Sequence, residues 1–241
     1  MINDIMTMVW KEWKGLFRHR GSQTRFLLTM LSPILLAIVM PLQAGEDWVV
    51  EVLPSLIISF AIPIILVGIT IPESFAGERE RHTLGTLLAS RLPDRAILLG
   101  KLGTSVAFAW GVNLLVLLLA LVTVNVAHWD GRLLLYTPTV ALGAVALSFI
   151  MSTLCASAGV LVSMRSETVQ EAAQRLMAIF LVPPLLLQFA LLAFMDRMGD
   201  TISRIGGKDV LVIVLAVMVV VDVAVFLLAI SRFKRSRLVL L

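Results

Sequence analysis

The sequence predicts an all-α integral membrane protein: six transmembrane helices, an amphipathic interfacial helix before the first span, and a helix-bearing cytoplasmic loop after the second. Three observations carry this. Apolar residues make up 59% of the chain and charged residues 15%, against roughly 45–50% and 25% in soluble domains. The apolar residues gather in continuous runs close to the ~20 residues that a helix needs to cross a ~30 Å hydrocarbon core, without the alternation of a lipid-facing strand. The charges fall mainly between the runs. With 241 residues, positions 1–241 form one transmembrane domain.

Over 1–20, Ile2, Ile5, Met6, Val9, Trp10, Trp13, Leu16 and Phe17 recur at helical spacing, with Lys11, Glu12, Lys14 and Arg18 largely on the other side. Such a helix, with two tryptophans and basic charge, lies in the membrane interface rather than across it; Trp10, Trp13, Lys11 and Lys14 are its interfacial residues. Asp4 and the late apolar run do not fit a secretory signal. The spans follow at about 26–42, 52–72, 102–127, 138–164, 176–195 and 210–230, the first of them short. Pro63 in the second and Pro183-Pro184 in the fifth remove backbone donors and kink those helices. In the fourth, the rows Ser152, Ala156 and Cys155, Gly159 permit close helix approach. Between the last two spans, Met195, Met198, Ile202 and Ile205 suggest a short helix in the outer interface.

Orientation follows from Lys and Arg. Sixteen of the twenty flank one side: Lys11 to Arg25, Arg79 to Lys101, Arg165 with Arg175, and Arg232 to Arg237. The other flanks hold four, Arg132, Arg197, Arg204 and Lys208, and the loop 43–51 has Glu46, Asp47 and Glu51 but no cation. The first side is cytoplasmic and contains both termini. The net charge of +4 therefore follows topology rather than nucleic-acid binding.

Polar residues inside the spans are few. Asp222 in the sixth span costs about 2.5–3.5 kcal/mol at mid-membrane even on a lenient scale, so it faces the bundle interior, paired, hydrated or protonated. It is either a pathway residue or an interhelical tie. Asn113 and Asn125 in the third span and Gln188 in the fifth suit interhelical hydrogen bonds; Asn113 and Gln188 are also candidate pathway residues. Cys155 is a small packing residue with no partner for a disulfide. His19, His82 and His128 lie far apart and build no metal motif, and no nucleophile motif appears. There is no phosphate-binding G-x-x-x-x-G-K-[ST] loop.

The one long polar segment is 73–101, ESFAGERERHTLGTLLASRLPDRAILLGK. Leu84, Leu87 and Leu88 sit at i, i+3, i+4, so a short helix there presents one apolar edge. Pro93 stops it, and Asp94 is placed to cap the next helix. This segment resembles the cytoplasmic loop between spans two and three of ABC-2-type transporter permeases. The resemblance rests on the glutamate-containing helix, Thr83-Leu84, Leu87-Leu88, a proline-bearing turn, and Ile97-Leu98 with Gly100-Lys101, and it extends to chain length and layout. His82 stands where a glycine is common, Gly85 where an acid is common, and Arg91 where a proline often stands.

The resemblance implies a coupling helix that fits a cleft on a nucleotide-binding ATPase subunit. Glu78 and Glu80 would be its acidic contacts, and Leu84, Leu87 and Leu88 its docking edge. It further implies two permease subunits, identical or paralogous, in a prokaryotic inner membrane. ATP and Mg would sit on the partner; this chain would be non-catalytic, with no cofactor or metal of its own. Two alternatives stay open: the permease of a haem exporter in cytochrome maturation, and an ion-coupled secondary transporter using Asp222.

Overall fold

The computed structural model describes the backbone of residues 1–18, 22–83, 85, 91–202 and 207–233, and the side chains of 1–16, 29–83, 85, 91–186 and 212–233. Within these residues the chain forms eight α-helices: α1 (Ile2–Arg18), α2 (Ser22–Ala44), α3 (Asp47–Val50), α4 (Val52–Glu80), α5 (Asp94–Ala127), α6 (Pro138–Ser163), α7 (Val169–Ile202) and α8 (Gly207–Arg232). Four have a stretch long and apolar enough to cross a bilayer: α4, α5, α6, and α8 over Val212–Arg232. The chain is an all-α, multi-pass integral membrane protein. Those four coincide with the expected spans at 52–72, 102–127, 138–164 and 210–230. The expected first span falls in α2, whose described apolar part is Thr29–Ala44. The fifth falls in α7, whose C-terminal half lies mostly beyond the described side chains.

Two boundaries differ from the sequence expectation. The segment 73–101 is no free loop: α4 continues to Glu80 and α5 already begins at Asp94. Glu, Arg and Ala are good helix formers, so leaving the apolar layer does not end a helix. The expected helix over 83–90 lies outside the described residues except for Thr83 and Gly85. Similarly, the short helix expected around Met195 is not separate, because α7 runs unbroken from Val169 to Ile202.

The ends of α4 and α5 follow cap chemistry. At the end of α4, Thr83 N–H donates to Glu78 O (2.9 Å) and His82 N–H to Arg79 O (3.0 Å), the paired bonds of a Schellman cap. His82 takes φ +56°, the left-handed conformation that glycine adopts without strain. At α5, Asp94 is not the cap; Pro93 holds that position, its carbonyl accepting from Ala96 (2.8 Å) and Ile97 (3.1 Å). Asp94 stands in the first turn, where a carboxylate favours the positive helix end.

Helix α4 is the hub: it packs most extensively on α6 and also against α5 and α7. The small-residue row on α6 lies inside the chain. A Cβ at Gly159 would sit 2.8 Å from Ile71 Cγ2 and 3.2 Å from Leu176 Cδ2, so α4, α6 and α7 converge there at glycine distance. Cys155 is buried beside it. At the opposite end from Glu80, buried Trp48 of α3 donates from Nε1 to Tyr136 Oη (2.9 Å), which donates to Leu117 O (2.9 Å). Burial, offset in part by the Trp48 hydrogen bond, pushes the Tyr136 phenol up to about 12. Asn125 pins the loop after α5 by bonding both backbone groups of Leu134 (2.9 and 2.8 Å).

Candidate functional site

Consecutive residues on a helix project about 100° apart, and at the end of α4 three of them reach three different neighbours. Glu78 Oε1 meets Lys11 Nζ of α1 at 2.6 Å and Lys101 Nζ of α5 at 3.0 Å. Arg79 donates to Ser166 O (2.9 Å) and Met164 O (3.1 Å), satisfying carbonyls just past the end of α6. Glu80 Oε1 accepts from Val169 N at 2.7 Å, filling a free amide at the start of α7. Arg81 turns back to Glu73 (2.7 Å) and Gly77 O (3.0 Å). One turn of α4 thus bonds α1, α5 and the α6–α7 junction.

The centre of this arrangement is Lys101, whose side chain is only 1% exposed. Its Nζ lies 2.6 Å from Ser74 O and 3.0 Å from each of Ser74 Oγ, Glu12 Oε1 and Glu78 Oε1. The Phe75 ring lies 5.2 Å away, and Phe233, just past the end of α8, packs edge-on against that ring at 6.0 Å. A buried ammonium is costly unless paired and hydrogen-bonded, and here three donors face four oxygens from two elements. Lys11 supplies a second cation, so two ammoniums balance two carboxylates. The other Glu12 oxygen accepts from Ser74 Oγ at 2.9 Å, whereas Glu78 Oε2 is buried without a partner among the described residues. Burial would raise Glu12, but the Lys101 charge and its hydrogen bond outweigh it and hold this carboxyl below its usual value. Burial would likewise lower Lys11, yet the hydrogen bond and charge of Glu78 leave it raised.

Gly100 explains how α1 reaches this cluster. A Cβ at that position would lie 2.4 Å from Met8 Cβ and 3.4 Å from Ile5 O. Only the bare backbone lets α1 seat on α5, burying Met8 and bringing Glu12, one turn on, over Lys101. The face of α1 toward the bundle is therefore Ile5, Met8 and Glu12, a stripe that the apolar pattern does not single out. Trp10 (64% exposed) and Trp13 (45% exposed) point away from the bundle, and Lys14 stacks 4.2 Å over the Trp10 ring. Of the residues expected opposite the apolar face, Glu12 turns inward to Lys101, while Lys11 stays half-exposed and bonds Glu78.

Of the anticipated coupling residues, Glu78 and Glu80 both bond other elements of this chain, while Leu84, Leu87 and Leu88 lie outside the described residues. Asp222 meets Thr153 Oγ1 of α6 through Oδ2, and its Oδ1 has no partner among the described residues. Asn113 is fully buried, and neither amide atom has a partner among the described residues; the side chain of Gln188 is outside the described set. These candidate pathway residues are not brought to the charge cluster. Glu12, Ser74, Arg79 and Lys101 escape a sequence reading as a group. The available signal was a lysine inside the apolar start of a span, ILLGKLG, four residues from neither acid in sequence but near both in space. Among the described residues no set of three His, Cys, Asp or Glu could hold a metal ion. No known family model matches the chain, and no curated protein sequence matches it either.

Proposed function

We propose that this chain is the membrane-spanning permease subunit of an ATP-driven exporter, lying in a prokaryotic cytoplasmic membrane with both termini inside. A separate nucleotide-binding subunit, carrying ATP and Mg, docks on the segment that follows α4. A second permease, a copy or a paralogue, completes the export path. The chain performs no hydrolysis; it converts closure of the ATPase pair into a change of access across the membrane. The resemblance of 78–101 to the coupling segment of ABC-2-type permeases supports this. The observation that carries it is the bonding of Glu78, Arg79 and Glu80 to three different elements within one turn. A push on 84–90 enters α4 through its capped end, and α4 cannot shift without straining α1, α5 and the α6–α7 junction. Close-packed, bonded elements transmit displacement rather than absorb it.

A second reading, ion-coupled transport, is favoured by the Asp222–Thr153 contact between α8 and α6 and by an Asp222 oxygen that has no partner among the described residues. Affinity purification of the tagged chain from native membranes separates the two. An ATPase is expected in the eluate, lost when Leu87→Asp and Leu88→Asp are introduced with membrane expression unchanged. A stable chain that emerges without ATPase activity contradicts the exporter reading and leaves Asp222→Asn as the change that should abolish transport.

A further inference from the structure

A second polar feature lies apart from the charge cluster. The end of α6, the first turns of α7 and the end of α8 enclose a half-open cleft of ≈ 650 Å³. Its lining is almost wholly hydrocarbon, Leu161, Ile179 and Leu228 among it, and Arg165, Arg175 and Arg232 also border it. Arg175 shares its guanidinium with Glu171 (2.6 Å), while Arg165 and Arg232 make no ion pair among the described residues. Three arginines thus border the cleft, and a carboxylate pairs with only one of them among the described residues. They sit where α6 and α8 leave their apolar stretches, which is headgroup depth for helices that cross a bilayer.

We propose that this cleft binds one anionic phospholipid, its phosphate held by Arg165, Arg175 and Arg232 and an acyl chain lying along Leu161, Ile179 and Leu228. A guanidinium fork matches phosphate oxygens two at a time. Basic pockets between transmembrane helices take anionic headgroups by this chemistry. The apolar floor selects a lipid over a free anion, because a soluble phosphate would leave that surface uncovered. The sequence continues the same bias, with Lys234, Arg235 and Arg237 directly following α8. The site depends on membrane insertion alone and is independent of any ATPase partner.

The test is a native mass-spectrometry titration of the full chain in neutral detergent. The probes are phosphatidylglycerol, phosphatidylcholine of the same acyl chains, and glycerol phosphate. One saturable phosphatidylglycerol site is expected, with phosphatidylcholine and glycerol phosphate each binding far more weakly. Arg165→Gln with Arg232→Gln, which leaves the Arg175–Glu171 pair intact, should weaken it by roughly 25-fold at about fivefold per cation. Arg165→Lys with Arg232→Lys, which keeps the charge and loses the fork, should weaken binding less than the glutamine pair does, and Arg132→Gln on the far side should change nothing. Ile179→Trp keeps every arginine and fills the floor, so it should also weaken binding, and it stands in should the glutamine pair fail to fold. Equal binding of the two lipids, full competition by glycerol phosphate, or a glutamine pair or tryptophan variant with unchanged affinity would each overturn the proposal.

Discussion

At the scale of single residues, Lys101 is the most consequential side chain described. Replacing it with methionine leaves Glu12 and Glu78 facing a hydrocarbon group, with only Lys11 to balance them. Removing one partner of a buried ion pair costs about 3–5 kcal/mol, so Lys101→Met should lower thermal stability in detergent by a loss in that range. Adding Glu12→Gln should recover much of it, because Lys11 and Glu78 then balance each other. The cluster also sets a pH window. Glu12 is held below its ordinary 4.5, so its contribution is complete above that pH and is lost as pH falls through the lower folded value. Lys11 is raised above its ordinary 10.5, so its contribution is complete below that pH and disappears only as pH rises through the higher folded value. A melting-temperature profile should therefore fall on the acid side, and Glu12→Gln should make that fall shallower. His82 gives the opposite sign: at φ +56°, His82→Gly should stabilise by about 1 kcal/mol in equilibrium or thermal unfolding. The sequence hinted at this position, since a glycine is common there in the proteins it resembles. Its only sign of Lys101 was a cation at the apolar start of a span, which takes on its role once α1 and α4 are folded against it.

At the scale of elements, the helices from 52, 94, 138 and 207 were legible because hydrocarbon thickness imposes a length on apolar runs. The continuation of α4 to Glu80 was not, since hydropathy reports the solvent around a helix rather than its backbone. The α1 contact was hidden for a related reason. Its periodicity reveals the face bearing Trp10 and Trp13, while the face bearing Met8 and Glu12 is defined by Gly100 on another helix. That contact can be tested alone. Gly100→Ala places a methyl 2.4 Å from Met8 Cβ, and neither group is the free end of a flexible chain. We expect α1 to detach, seen as faster proteolysis near Lys11 and Lys14, with the four long helices still folded by circular dichroism. Protection equal to the wild type would show that α1 does not depend on the Gly100 contact for its place on the bundle.

For the whole molecule, the central claim is that the end of α4 works as a junction through which force from a docked ATPase reaches α1 and the α6–α7 junction by separate bonds. Glu78 and Lys101 serve the first route, Arg79 and Glu80 the second. Asp222 and Asn113 lie on neither route. The direct measurement is double electron–electron resonance on the ATPase-bound complex in a Cys155→Ala background. One label goes at Gly15, where an added side chain meets nothing within 4 Å, and another at exposed Glu167 between α6 and α7. Paired separately with a reference label on exposed Trp129, both positions should shift when ATP is trapped. In Lys101→Met with Glu78→Gln, the Gly15 shift should vanish and the Glu167 shift should persist. A Gly15 distance that still responds fully to nucleotide in that variant would contradict the junction, as would loss of both responses while the ATPase stays bound and active.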